Sequence, residues 1–145
     1  MITSKDLTKE PPRSPRQRLG GYVILARTID KGRALLNGKV GEYHFDCPLD
    51  NALFGFKGVK GDAFKQQLQN GATDDQVLAW LNANGTKKSA AEISAWAQAA
   101  EKDSPYNNPE KRDWFKGECE KAGLDPAKTT LFDWLEVDDR LTFKR

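Results

Sequence analysis

Gly71-Ala72-Thr73-Asp74-Asp75-Gln76-Val77-Leu78-Ala79-Trp80-Leu81-Asn82-Ala83-Asn84-Gly85 is followed, after Thr86-Lys87-Lys88, by Ser89-Ala90-Ala91-Glu92-Ile93-Ser94-Ala95-Trp96-Ala97-Gln98-Ala99-Ala100-Glu101-Lys102. Each segment opens on a capping box, a hydroxyl residue with Gln or Glu three places later, so that both side chains satisfy backbone N–H groups at a helix start. Thr73 with Gln76 predicts a helix over 74–84 closed by Gly85, and Ser89 with Glu92 predicts one over 90–102. Val77, Trp80 and Leu81, like Ile93, Trp96, Ala97 and Ala100, recur at the spacing of a buried helical stripe.

The same signals extend in both directions. Asp62 reads as the cap of a helix over 63–70 that stops at Gly71. Asn108-Pro109 opens a helix that runs to Ala122 before Gly123, and Thr129 or Thr130 caps one over 130–138, followed by a short tail with Leu141 and Phe143. Upstream, Pro48 fits the first position of a short helix capped by Cys47. Apolar spacing predicts a long first helix over 15–37 ending at Gly38, with Gly20-Gly21 as its alternative start. Pro11, Pro12 and Pro15 make residues 1–15 an extended arm laid on the helical body. Only 40–46 reads as a short extended element. The expected fold is therefore all-α, a single multi-helix domain, with Trp80, Trp96, Trp114 and Trp134 as core residues.

Composition sets the outer limits. The 145 residues are 38% hydrophobic and 30% charged, the balance of one globular domain with a core of its own. No run of 18 apolar residues and no apolar segment near Met1 occur, so neither a membrane span nor a secretory signal is expected, and a cytoplasmic location is. Cys47 and Cys119 form no CxxC pair, which argues against a disulfide framework or a zinc finger. The net charge is +2, yet residues 1–33 carry eight bases against three acids, leaving −3 on the remainder. With an isoelectric point near 8.5 and only Tyr22 among those bases, nucleic acid is not the expected partner.

The chemistry concentrates in two places. On the first helix, Leu19, Tyr22, Val23, Leu25, Ala26, Ile29, Ala34 and Leu36 form one apolar arc, with Asp30 and Arg33 inside it and Arg27 and Lys31 at its edge. Charges so placed need partners, either in an ion pair that ties the helix to a neighbour or to the arm, or in a ligand. The second place is Glu42-Tyr43-His44-Phe45-Asp46-Cys47-Pro48. His44, the single histidine, suits a general base or a pH-dependent group, with Glu42 or Asp46 orienting its ring. Cys47 at a helix start resembles a thiol site, but its neighbours Phe45, Pro48 and Leu49 favour reading it as packed under a turn.

Together these residues suggest a cleft between the first helix and segment 42–50 that binds a small anionic metabolite. Arg27 and Arg33, with Lys31, Arg13 and Arg16, would hold the anion; Asp30, Tyr43 and His44 are the candidate catalytic groups. The alternative is an interaction module whose arm docks on a partner protein or on a second copy in a homodimer. No nucleotide, hydrolase or metalloprotease motif is present, so no cofactor and no metal are expected, and nothing decides whether the chain is an enzyme.

Asp6-Leu7-Thr8-Lys9, Pro12-Arg13-Ser14-Pro15-Arg16, Leu19-Gly20-Gly21, Asp30-Lys31 with Arg33, Gly41-Glu42-Tyr43-His44 and Cys47-Pro48-Leu49-Asp50 together resemble a bacterial family, domain of unknown function 5069. The resemblance spans most of the chain. It implies no activity, substrate or cofactor.

Overall fold

The computed structural model describes residues 2–143. Among them stand seven α-helices: α1 Leu25–Leu36, α2 Pro48–Lys57, α3 Gly61–Gln69, α4 Asp74–Ala83, α5 Ala90–Lys102, α6 Arg112–Lys121 and α7 Leu131–Phe143. Short 3₁₀ turns at Pro105–Asn107 and Pro126–Lys128 flank α6. No strand forms among the described residues; segment 40–46 is a run of turns with Gly41 and Asp46 in the left-handed region. Among the described residues a single β-type bridge joins Leu19 to Tyr22.

Local signals explain most helix starts. Thr73 and Gln76, and Ser89 and Glu92, exchange the reciprocal bonds that their spacing predicts. Thr130, not Thr129, caps α7, bonding Asp133 in the same manner, and the helix continues through Leu141 and Phe143 where the sequence predicts a tail. Cys47 is the N-cap of α2. Three starts differ from expectation, two of them by a few residues. Lys60 precedes α3, so Asp62 lies in its first turn, and α6 begins at Arg112 because Asn108 caps only a turn, through Glu110 N–H.

The largest departure is α1, which begins at Leu25. Gly20 and Gly21 at positive φ turn the chain, with Leu19 and Tyr22 bonded reciprocally across the turn. Ile24 is then left-handed as well, at φ 73°. For a β-branched residue that conformation costs on the order of 1–3 kcal/mol, and burial of its side chain in the core holds it there.

α1 runs through the centre, against α2 and α3, while α3 packs on α4 and α5 on α7. The core gathers Tyr22, Ile29, Leu53, Phe54, Phe64, Leu68, Val77, Leu81, Ala97 and Phe132, with Phe54 and Phe64 5.1 Å apart. Trp80 and Trp96 pack against it, Trp96 stacked on Phe56. Trp114 and Trp134 correct the expectation of four core tryptophans, since neither belongs to the core or packs against it and the two lie edge to face with each other. α6 buries Phe115 and Cys119, and a residue one place from Phe115 points about 100° away, so Trp114 is 49% exposed.

The arm lies on the helices. Leu7 is buried and donates its N–H to Lys39 O, and Ile24 N–H reaches Pro15 O. Gly85, after α4, is left-handed, and a Cβ there would meet Lys57 O at 2.0 Å. Gly85→Ala is therefore expected to lose about 2–4 kcal/mol, from backbone strain plus displaced packing, read as a lower urea midpoint with unchanged slope.

Candidate functional site

Nine of the twelve residues of α1 are buried, so its charges leave water on every side of the helix. Each finds its partner on a different element. Arg27 forms two bonds to Asp139 of α7, at 2.8 and 3.1 Å, both side chains almost fully enclosed. Lys31 Nζ lies 3.0 Å from Asp50 of α2, and Thr28 Oγ1 donates to the same carboxylate at 2.6 Å. Asp30 accepts from the backbone and guanidinium of Arg13, in the arm, at 2.8–3.0 Å. Arg33 bonds Asp74 and Ala72 O, both at 2.9 Å, so Asp30 and Arg33 do not pair with each other as their spacing allowed.

Arg13 also reaches Asp74, so Asp30, Arg13, Asp74 and Arg33 form one alternating chain of charge. Burial works to raise the Asp74 carboxyl, but the bonds and charges of Arg13 and Arg33 outweigh it and hold it below its ordinary value. Arg16 binds Asp133 and Glu136 of α7 and lies over the Phe132 ring.

A cleft of about 560 Å³ opens between α1, segment 42–49, α6 and α7. That volume suits a small organic molecule. Of the residues expected at a site, Arg27, Lys31, Tyr43 and His44 line it, whereas Asp30, Arg33, Arg13 and Arg16 do not. Arg33 instead borders a separate cleft of about 620 Å³ between the start of the arm and α4, where its guanidinium is already engaged. Cys47 also lines the first cleft and is only partly buried, which corrects the view of it as packed away.

The cleft walls are largely apolar: Pro48, Leu49, Pro105, Leu131, Leu135 and the indoles of Trp114 and Trp134, 5.4 Å apart edge to face. Tyr43 donates to Asp139 at 2.7 Å, and the Arg27 guanidinium lies 5.5 Å from its ring centre. Burial, reinforced by that carboxylate, pushes the Tyr43 phenol well above its usual range, so it stays protonated. His44 is exposed at the rim and bonds no side chain among the described residues, Glu42 and Asp46 included. No three His, Cys, Asp or Glu residues cluster as metal ligands among the described residues.

Sequence reasoning missed Trp114, Trp134, Asp138, Asp139, Glu110 and Lys111. Only the adjacent pair Asp138-Asp139 in an amphipathic helix marked that end of the chain as unusual. Asp138 is pushed upward by burial, then by neighbouring Asp139 and Glu118, with Arg27 opposing.

Two outcomes follow from this geometry. Arg27→Met strands Asp139 in a buried position and is expected to cost about 3–5 kcal/mol, measured by urea unfolding. Asp138→Asn acts in the opposite direction. A raised carboxyl destabilises the fold once it is ionised, so the variant should melt higher at pH 7, and the gain should vanish below about pH 3, where Asp138 is protonated whether folded or unfolded.

No helix among the described residues is long and apolar enough to cross a membrane. No curated protein matches the chain. The profile described as "Domain of unknown function (DUF5069)" matches residues 9–141, which include the arm's Arg13, all of α1 and the wall of the cleft apart from Thr142, and the chain belongs to that family.

Proposed function

We propose that the chain binds a small organic cation with a flat apolar body, resting on the wall formed by Trp114 and Trp134. The observation that carries this reading is the charge left in the cleft after internal pairing. Arg27 is neutralised by Asp139 and Lys31 by Asp50, while Glu42, Glu110 and Asp138 have no ion-pair partner among the described residues and share the cleft with one unpaired base, Lys111. The remaining field is negative, which moves the reading away from the anionic metabolite expected from the sequence. An indole wall beside carboxylates suits an alkylammonium group, attracted by ring quadrupole and charge together.

The alternative reading, an arm that recruits a partner or a second copy, has less support. Arg13 and Arg16 spend their guanidinium groups on Asp30, Asp74, Asp133 and Glu136 of the same chain. An arm so tied has few groups left for a partner.

The test is a tryptophan-fluorescence titration with benzyltrimethylammonium, using benzoate as the anionic comparison. The cation is expected to perturb the emission saturably and benzoate is not. Trp114→Ala and Asp138→Asn should each weaken binding about 3- to 30-fold, the range of one cation–π or charge contact. Equal binding of benzoate, or no binding of either probe, overturns the reading.

A further inference from the structure

Asp138 and Asp139 are consecutive on α7, and the fold provides for them unequally. Asp139 receives two bonds from the Arg27 guanidinium and one from the Tyr43 hydroxyl. The Asp138 carboxylate borders the cleft and takes part in no hydrogen bond or ion pair among the described residues. The nearby Thr142 hydroxyl, which also lines the cleft, donates to the Asp138 backbone carbonyl instead, at 2.8 Å. A partly buried carboxylate so placed is satisfied in one of two ways: it keeps a proton, or a cation comes to it from outside.

The surrounding elements supply no cation of their own for it. Burial first, then the charges of Asp139 beside it on α7 and Glu118 on α6, push the Asp138 carboxyl upward, with Arg27 of α1 opposing. Arg27 is spent on Asp139, and the other cation of α1, Lys31, on Asp50, to which the Cys47 thiol also donates. Segment 42–49 brings Glu42 and His44 to the cleft, and the stretch before α6 brings Glu110 and Lys111. Lys111 is exposed to solvent, so it does not replace a counter-charge inside the cleft.

We infer that a cation enters the cleft in exchange for the proton of Asp138, which makes Asp138 the residue that sets the charge of the ligand. The inference rests on the cation-binding reading of the same cleft. Without a cation the carboxyl holds its proton more firmly than a carboxyl in water. The positive charge of the ligand stabilises the ionised form, and the proton leaves to solvent. By linkage, affinity rises with pH through the range in which Asp138 of the free protein ionises, and it levels off above that range. Contact with the indole wall carries no such dependence, so the part of the affinity that follows pH reports the charge contact. His44 at the rim is a second group whose charge follows pH, so the effect of Asp138 is the part that Asp138→Asn removes.

The experiment measures the Kd of benzyltrimethylammonium by tryptophan fluorescence for the full chain and for Asp138→Asn, from about pH 7.5 down to about pH 4.5. The variant is expected to fold, since it removes a charge that burial disfavours. At the upper end the wild type should bind about 3- to 30-fold more tightly than the variant. That ratio should fall toward one as the pH falls, because protonation leaves the wild-type carboxyl as neutral as the amide. At the pH where the ratio changes most steeply, titration calorimetry in two buffers of different ionisation enthalpy should show proton release on binding to the wild type, and less release with Asp138→Asn. A ratio that stays constant across the range, or equal proton release by the two chains, overturns the inference, while saturable binding at about pH 7 then leaves the cation reading standing. Absence of binding at every pH removes both.

Discussion

The structure depends on one constraint: α1 is buried on nearly every side although it carries Arg27, Asp30, Lys31 and Arg33. A charge withdrawn from water costs several kcal/mol unless a counter-charge and hydrogen bonds receive it. Each of the four therefore fixes an element that supplies its partner. Arg27 holds the end of α7, Lys31 the first turn of α2, Asp30 the arm and Arg33 the first turn of α4. The apolar core supplies most of the stabilisation, and this set of pairs determines which surfaces the helices turn toward each other.

The arm illustrates how far the effect reaches. Its basic residues give the first part of the chain its positive charge, yet Arg13, Arg16 and Arg18 are bonded to carboxylates on α1, α4, α5 and α7. What resembles a basic interaction segment in the sequence acts as an internal strap. Its removal would uncover Asp30 and Asp74 together, since Arg13 binds both.

The cleft forms where this pairing meets a different kind of packing. Trp80 and Trp96 close the core around Phe56 and Phe64, whereas Trp114 and Trp134 pack edge to face at the surface beside α1. The buried pairs Arg27–Asp139 and Lys31–Asp50 become its floor, with Cys47 and Tyr43 above them. An apolar opening over a satisfied polar floor is the composition of many small-ligand sites.

The helices and most of their boundaries were legible in the sequence because caps and stops act within four or five residues: Thr73 with Gln76, Ser89 with Glu92, Pro48 after Cys47, and the left-handed glycines after α1, α3, α4 and α6. The inward charges of α1 were legible too, since a 100° step places Asp30 within the apolar arc. Tertiary structure decided what those charges meet. Asp30 and Arg33 are close enough to pair, but Arg13 and Asp74 arrive from elsewhere with better geometry. The late start of α1 was equally hidden, because Ile24 adopts its left-handed backbone only when core packing compensates the strain. Helical periodicity could not separate the tryptophans that close the core from those that border the cleft, because it gives the direction of a face and not what that face meets.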